Sequence, residues 1–214
     1  MPTRREAGRV PVFLLVVVAA IAAGLGLWLG LRSHAPPQPP PMQSAQVYPQ
    51  PRPLPAFALT QSGGKPLTAV DWQRRYTLVF FGYTRCPDVC PTTLATLHQA
   101  LQQLRAQGLG KQVQVDFISV DPQRDTPARL AAYVHAFDPQ FVGATGPDAQ
   151  LQPLTRALGL VYARTPDGHG GESVDHSGAV VLIDPQGREL AVFLPPLRAA
   201  AIADDLAQLI AWRR

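Results

Sequence analysis

One stretch constrains this chain more than any other: Thr77 to Leu97, TLVFFGYTRCPDVCPTTLATL. It opens as an apolar run rich in aromatic and branched residues (Leu78, Val79, Phe80, Phe81, Tyr83), which predicts a buried strand. It then turns through Gly82, Thr84 and Arg85 into Cys86-Pro-Asp-Val-Cys90-Pro91, and leaves as a helix through Leu94 and Leu97. The chain's only two cysteines therefore sit four positions apart, where a strand hands over to a helix. Pro91 leaves two phases open. A helix starting at Cys86 would lose a hydrogen bond at Pro91, whereas one starting at Cys90 would put proline at its first position, at no cost. Under both, the sulfurs lie near a helix N-terminus, whose partial positive charge favours thiolate over thiol.

Not all of the 214 residues are available to fold in water. Val12 to Leu31 is a run of twenty uncharged residues, about 30 Å as a helix and enough to cross a hydrocarbon core. Trp28 suits an interfacial anchor. Arg4, Arg5 and Arg9 before the run, against Arg32 after it, predict a cytoplasmic N-terminus with everything following exported. A cleaved signal peptide is the alternative, with Ser33-His-Ala35 as its cleavage site. The apolar run is longer than the ~7–15 residues usual for a signal, and Pro36 would follow the cut, so a retained anchor is the expectation. The short N-terminus without an evident transit peptide favours a bacterial inner membrane with the domain in the periplasm.

From Arg32 to Pro55, nine of 24 residues are proline. Such a tract predicts an extended spacer that completes no hydrogen-bonded ladder, reaching up to ~70 Å if fully stretched. The expected organisation is thus residues 1–31 as tail and anchor, 32–55 as linker and 56–214 as one folded domain. The formal charge of +4 belongs to the membrane-proximal end, since residues 1–55 hold five arginines and one glutamate, while residues 56–214 hold 14 basic and 14 acidic residues. A neutral domain has no net attraction for nucleic acid, and that function class is set aside.

Within the domain, Phe57–Thr60 and Leu67–Val70 flank Gly63-Gly64 as a hairpin. Leu94, Leu97, Leu101 and Leu104 carry a helix that Gly108 ends. Val113–Val120 predicts a strand, and Thr126 with Pro127 opens a helix bearing Leu130, Tyr133, Val134 and Phe137. A short strand at Phe141–Val142, a helix over Pro147–Leu158 and a strand over Leu160–Arg164 come next. A Gly-rich loop, Pro166–Gly171, leads to strands Ala179–Ile183 and Glu189–Leu194, joined by the turn Asp184-Pro-Gln-Gly187. A helix over Pro196–Trp212 closes the chain. Alternating strands and helices with a terminal hairpin predict an α/β sandwich with a mixed central sheet.

A permanent disulfide between Cys86 and Cys90 would close too small a loop to add much stability, and a domain of ~160 residues builds its own core. Functional thiols are the better reading. Two thiolates are a soft chelate, and soft ligands select monovalent copper. A histidine would complete a trigonal site, from among His34, His98, His135, His169 and His176. His34 lies in the linker, His98 and His135 on helices, His169 in the Gly-rich loop. His176 precedes the strand Ala179–Ile183, where a loop could lean over the helix terminus. Spacing favours His176 only modestly.

Phe80-Phe-Gly-Tyr-Thr-Arg-Cys-Pro-Asp-Val-Cys-Pro-Thr-Thr-Leu94, Ile118-Ser-Val-Asp-Pro-Gln-Arg-Asp-Thr-Pro127 and Val174-Asp-His-Ser177 resemble the three signature segments of the Sco/SenC family. These are membrane-anchored, thioredoxin-fold proteins of cytochrome c oxidase biogenesis. The resemblance runs from about Phe57 to the C-terminus. It implies a thioredoxin-like sandwich in which Cys86 and Cys90 are copper thiolates and His176 is the third ligand. Asp88, Asp121 and Asp125 fall on the family's acidic positions, as support or partner contacts. His169 inherits no role. The implied task is delivery of one copper ion, with the dinuclear copper centre of oxidase subunit II as acceptor and no enzymatic turnover. Three ligands would leave one side open to the acceptor, where a structural zinc site closes with four.

A thiol–disulfide reductase would suit the same fold, but the spacing is CxxxC and a reductase has no need of His176. Val89-Cys90-Pro91-Thr92 also resembles peroxiredoxins. That class wants a threonine three residues before its reactive cysteine, where this chain has Pro87 before Cys90 and Tyr83 before Cys86. A redox or copper sensor would use the same residues.

Overall fold

The computed structural model describes residues 11–33, 39–166, 172–176 and 178–213, with backbone alone at 31–33, 164, 166 and 172–176. The chain divides into two units, Met1–Gln38 and Pro39–Arg214. The first carries helix α1 (Val12–Ser33), 22 residues, about 33 Å at 1.5 Å per residue. By length and composition α1 is able to cross a membrane.

The second unit is built on β4 (Tyr76–Gly82), every residue of which is buried. Its alternate side chains feed two cores: Leu78 and Phe80 join one cluster, Val79 and Phe81 the other. A strand wet on neither face must read as a continuous apolar run, which Leu78–Phe81 does. On one side β4 pairs in parallel with β5 (Val113–Ser119), Phe80 opposite Phe117, and β5 pairs in parallel with β6 (Val142–Thr145). On its other side β4 pairs antiparallel with β9 (Val180–Ile183), Phe80 opposite Val180. The hairpin β2 (Ala58–Gln61) and β3 (Pro66–Thr68) adds to β6, and β10 (Arg188–Phe193) adds to β9. With β1 (Ala45–Pro53) the sheet order is β1-β10-β9-β4-β5-β6-β2-β3.

Parallel neighbours need crossover connections. Helices α2 (Val89–Ala106) and α3 (Pro127–His135) supply them, both packing on the face that carries Leu78 and Phe80, together with α5 (Ala199–Trp212). Helix α4 (Asp148–Ala157) covers the other face with Leu151 and Leu154. Thr126 accepts from the Arg129 amide at 3.3 Å and Pro127 opens α3, as the sequence predicts. Gly108, at φ 75°, lies just beyond α2, a conformation that costs glycine nothing. The architecture is the thioredoxin-like sandwich with a mixed central sheet.

Two expectations need correction. The proline tract is not a spacer throughout, because Ala45–Pro53 is strand β1, antiparallel to β10. The edge tolerates its prolines, since one side of such a strand makes no ladder bonds. The register shifts between Val47 and Arg52, around Pro49 and Pro51. The backbone of Glu172–His176 is likewise not loop but strand β8, paired with β7 (Tyr162–Pro166) as a separate ribbon, Tyr162 opposite His176. The Gly-rich segment 167–171 lies outside the described residues.

Candidate metal centre

The carboxyl ends of β4 and β5 lie side by side, Gly82 opposite Ser119, and the amide of Val120 donates to the Gly82 carbonyl at 2.9 Å. Loops leaving that edge are where α/β sheets hold ligands. After β4, the Cys86 amide donates to the Tyr83 carbonyl at 3.2 Å, a tight turn that brings the first sulfur back against the sheet. After β5, the chain turns through Asp121 and Asp125.

Asp125 joins the two loops. Its carboxylate is fully buried and accepts three hydrogen bonds: from the Thr84 amide at 2.9 Å, the Thr84 hydroxyl at 2.5 Å and the Ser119 hydroxyl at 2.6 Å. A buried carboxylate is tolerated only when so satisfied, and here the donors tether the segment leading into Cys86. Asp121 is also buried and pairs with Arg124. Asp88 is exposed at the N-cap of α2, where its side chain accepts from the Thr92 hydroxyl at 3.3 Å.

Helix α2 starts at Val89, which fits neither phase expected from Pro91. Proline falls at the third position, still among the amides that have no intrahelical partner. Cys90 is at the second position, fully buried, and its amide donates to the Cys86 sulfur at 3.4 Å. Both residues carry thiols. Cys86 is half-buried and packs against both core clusters, placing it at the sheet's end. The expectation that the helix terminus favours the thiolate at both sulfurs needs amending at Cys90. Burial pushes its thiol well above the ordinary range, the Tyr83 amide pulls it back, and Cys86 and Asp125 push it further up. That shift favours the protonated thiol at Cys90, and a soft cation bound there would have to displace the proton.

Of the candidate third ligands, His98 is accounted for locally, its Nδ1 lying 3.0 Å from Asp138 Oδ2. His135 is exposed at the end of α3. His34 and His169 lie outside the described residues, as does the side chain of His176. The backbone around His176 is informative. Val180 pairs with Phe80, and β8 passes beside β4. A Cβ added to Gly178 would lie 3.6 Å from Val89 Cγ1, against the residue preceding Cys90. Two residues span at most about 7 Å, so the His176 backbone lies within that distance of a point touching the cysteine loop. Residue patterns give Gly82 and Thr84 only as turn positions and do not mark Ser119 as part of the site. Their roles depend on buried contacts between segments that only the sheet register brings together.

The SCO1/SenC family model matches residues 47–211. A candidate copper-binding protein of Stutzerimonas stutzeri is 35% identical over 157 residues, which are 73% of this chain and 76% of that protein. The mitochondrial SCO2 homolog of Bos taurus is 39% identical over 132 residues, 61% of this chain and 50% of that protein. The chain thus matches about half the length of that mitochondrial relative. Arabidopsis thaliana ScoI, solved with copper bound, superimposes with a TM-score of 0.69 at 30% identity, covering 74% of this chain and 98% of that one. A match that runs from β1 into α5, enclosing both sulfurs and the aspartate loop behind them, makes this chain a member of the SCO1/SenC family.

Proposed function

We propose that this protein is a membrane-anchored copper carrier, binding one copper ion through Cys86, Cys90 and His176. It passes that ion to the dinuclear copper centre of cytochrome c oxidase subunit II. In this reading α1 is the anchor, with the N-terminus cytoplasmic and the domain in the periplasm. The observation that carries the proposal is the convergence at one sheet edge. The Cys86 sulfur accepts from the Cys90 amide at 3.4 Å, and a Cβ at Gly178, two residues beyond His176, would meet Val89. Soft sulfur donors suit monovalent copper. The copper-bound Arabidopsis relative supports the choice of metal. Loading requires both cysteines reduced, so an oxidising compartment couples carriage to thiol redox state.

The test is a titration of the reduced full-length chain, in detergent, with monovalent copper. One ion per chain is expected. Cys86→Ser, Cys90→Ser and His176→Ala should each weaken binding at least tenfold or so, since removal of a mere outer-shell partner already costs about 10–100-fold. Binding indifferent to His176 would instead favour a thiol–disulfide reductase. The half-exposed Cys86 beside a buried Cys90 is the observation on which that second reading stands.

A further inference from the structure

The folded domain has a second concave site, remote from the sulfurs. A cleft of about 770 Å³ opens where α2 ends, its polar lining made by Arg75, Arg105, Lys111, Gln114 and Gln140. Arg105 follows Cys90 by 15 positions along α2, about 22 Å of helix. The cleft shares no residue with the candidate metal centre. Its volume is that of a small-molecule site, larger than a bare ion needs.

The lining is one-sided in charge. Residues 56–214 balance 14 basic against 14 acidic side chains, yet among the described residues three cations and no carboxylate line this cleft. Arg105 is held rigidly there. Its stem lies on the bare backbone of Gly110, where an added Cβ would overlap it. Asp138 accepts from its Nη1 at 2.6 Å and its Nη2 at 3.0 Å, and Gln140 Oε1 accepts from Nη2 at 2.6 Å. Those bonds use three of the five N–H groups of a guanidinium, so two donors remain on a fixed group. Asp138 balances that charge. Arg75 and Lys111 add two more, both exposed and without an ion pair among the described residues. The carbonyls that end α2 would repel an anion, but they are occupied. Those of Gln103, Leu104 and Arg105 accept from the amides of Gln107, Leu109 and Gly108 at 3.2, 2.8 and 3.0 Å.

We propose that this cleft binds a phosphate-bearing small molecule, its phosphate held by Arg75, Lys111 and the remaining Arg105 donors. Guanidinium forks match phosphate oxygens in geometry as well as in charge. An anionic phospholipid headgroup and a soluble phosphate ester offer the same chemistry. The site stands independently of the copper-carrier reading.

The test titrates glycerol 3-phosphate, and separately dihexanoyl phosphatidylglycerol, into the full-length chain in neutral detergent at low salt. Dihexanoyl phosphatidylcholine is the zwitterionic control. Saturable binding of one probe per chain is expected, weakening as salt rises. Binding of glycerol 3-phosphate assigns a soluble ester, and binding of phosphatidylglycerol alone assigns a lipid headgroup. Arg75→Gln and Lys111→Gln should each weaken that binding about threefold, and the double variant about tenfold. Melting temperature and copper uptake should not change. Lys65→Gln removes an exposed cation outside the cleft and should leave binding as it was. Binding of neither probe would overturn the proposal. So would equal weakening by Lys65→Gln, which would mean diffuse surface charge, or uptake of the two lipids alike without glycerol 3-phosphate.

Discussion

Gly82 makes the space in which Cys90 sits. A Cβ on this last residue of β4 would lie 2.5 Å from Cys90 Sγ and 2.8 Å from Phe117 Cε2, closer than atoms can approach. The sulfur occupies the volume that a side chain would otherwise fill, and neither neighbour is the free end of a flexible chain. Gly82→Ala should therefore cost about 1–3 kcal/mol, the usual penalty of overpacking a filled core. It should also weaken copper binding by displacing the sulfur. Urea denaturation and a copper titration of the same variant check both, and an unaltered midpoint would refute the packing argument. Cysteine spacing alone reveals a pair near a helix start, and the macrodipole argument then treats both sulfurs alike. It cannot reveal that one of them is enclosed by Phe117, Gly82 and the body of α2, which reverses the balance at Cys90. A 3.6-residue period likewise makes Tyr133 a position on the apolar face of α3 and says nothing of its buried hydroxyl, which has no hydrogen-bond partner among the described residues.

Among the elements, β1 shows where composition misleads. Nine prolines in 24 residues read as a chain unable to join a sheet, yet Ala45–Pro53 does so because something other than its own ladder secures it. Buried Asp205 of α5 accepts from the amides of Gln43, Ser44 and Ala45 at 2.7, 2.7 and 2.8 Å, and from the Ser44 hydroxyl at 2.9 Å. Arg52 closes the far end on buried Glu189, through Nε at 3.0 Å and Nη2 at 2.6 Å. Both anchors lie more than 130 residues away in sequence, beyond any local pattern. The hairpin β2–β3, by contrast, was readable from Gly63-Gly64 and its flanks, because a hairpin is decided by its own few residues. Asp205→Ala would strip several donors of their acceptor at once, at a cost of about 2–4 kcal/mol. Amide exchange should accelerate first along 45–53 and the facing residues of β10, with β4 and β5 protected longest. Uniform acceleration through the sheet would mean that β1 is no separable edge.

For the whole molecule, the candidate site lies at one end of the sheet while some of the pH sensitivity lies in its middle. Asp116, halfway along β5, faces the opposite cluster from Phe117 and Tyr133, where its carboxylate accepts from Trp72 Nε1 at 2.7 Å and from Gln114 Nε2 at 2.6 Å. Burial raises its ionisation from 3.8 to about 6, against the lowering effect of those two bonds and of Arg75. The sign follows from the order in which the two states lose the proton. The unfolded chain releases it near 3.8 and the folded one near 6. Ionisation therefore favours unfolding: what this residue contributes is greatest below pH 4, declines as pH rises through 6, and is constant beyond. Two pH units correspond to about 3 kcal/mol. Asp116→Asn has no proton to lose, keeps an oxygen for Trp72, and lets the Gln114 amide turn to accept from its nitrogen. The stability difference between parent and variant should then move in the variant's favour by about 1–3 kcal/mol from pH 4.5 to pH 7.5. Copper affinity at pH 7.5 should stay where it was, since none of the atoms near the sulfurs has changed. Urea midpoints at the two pH values measure the first, and a copper competition titration the second. A parent–variant difference that does not move with pH would place the titrating group elsewhere, and a shift in copper affinity would show that the two regions are mechanically coupled through β5.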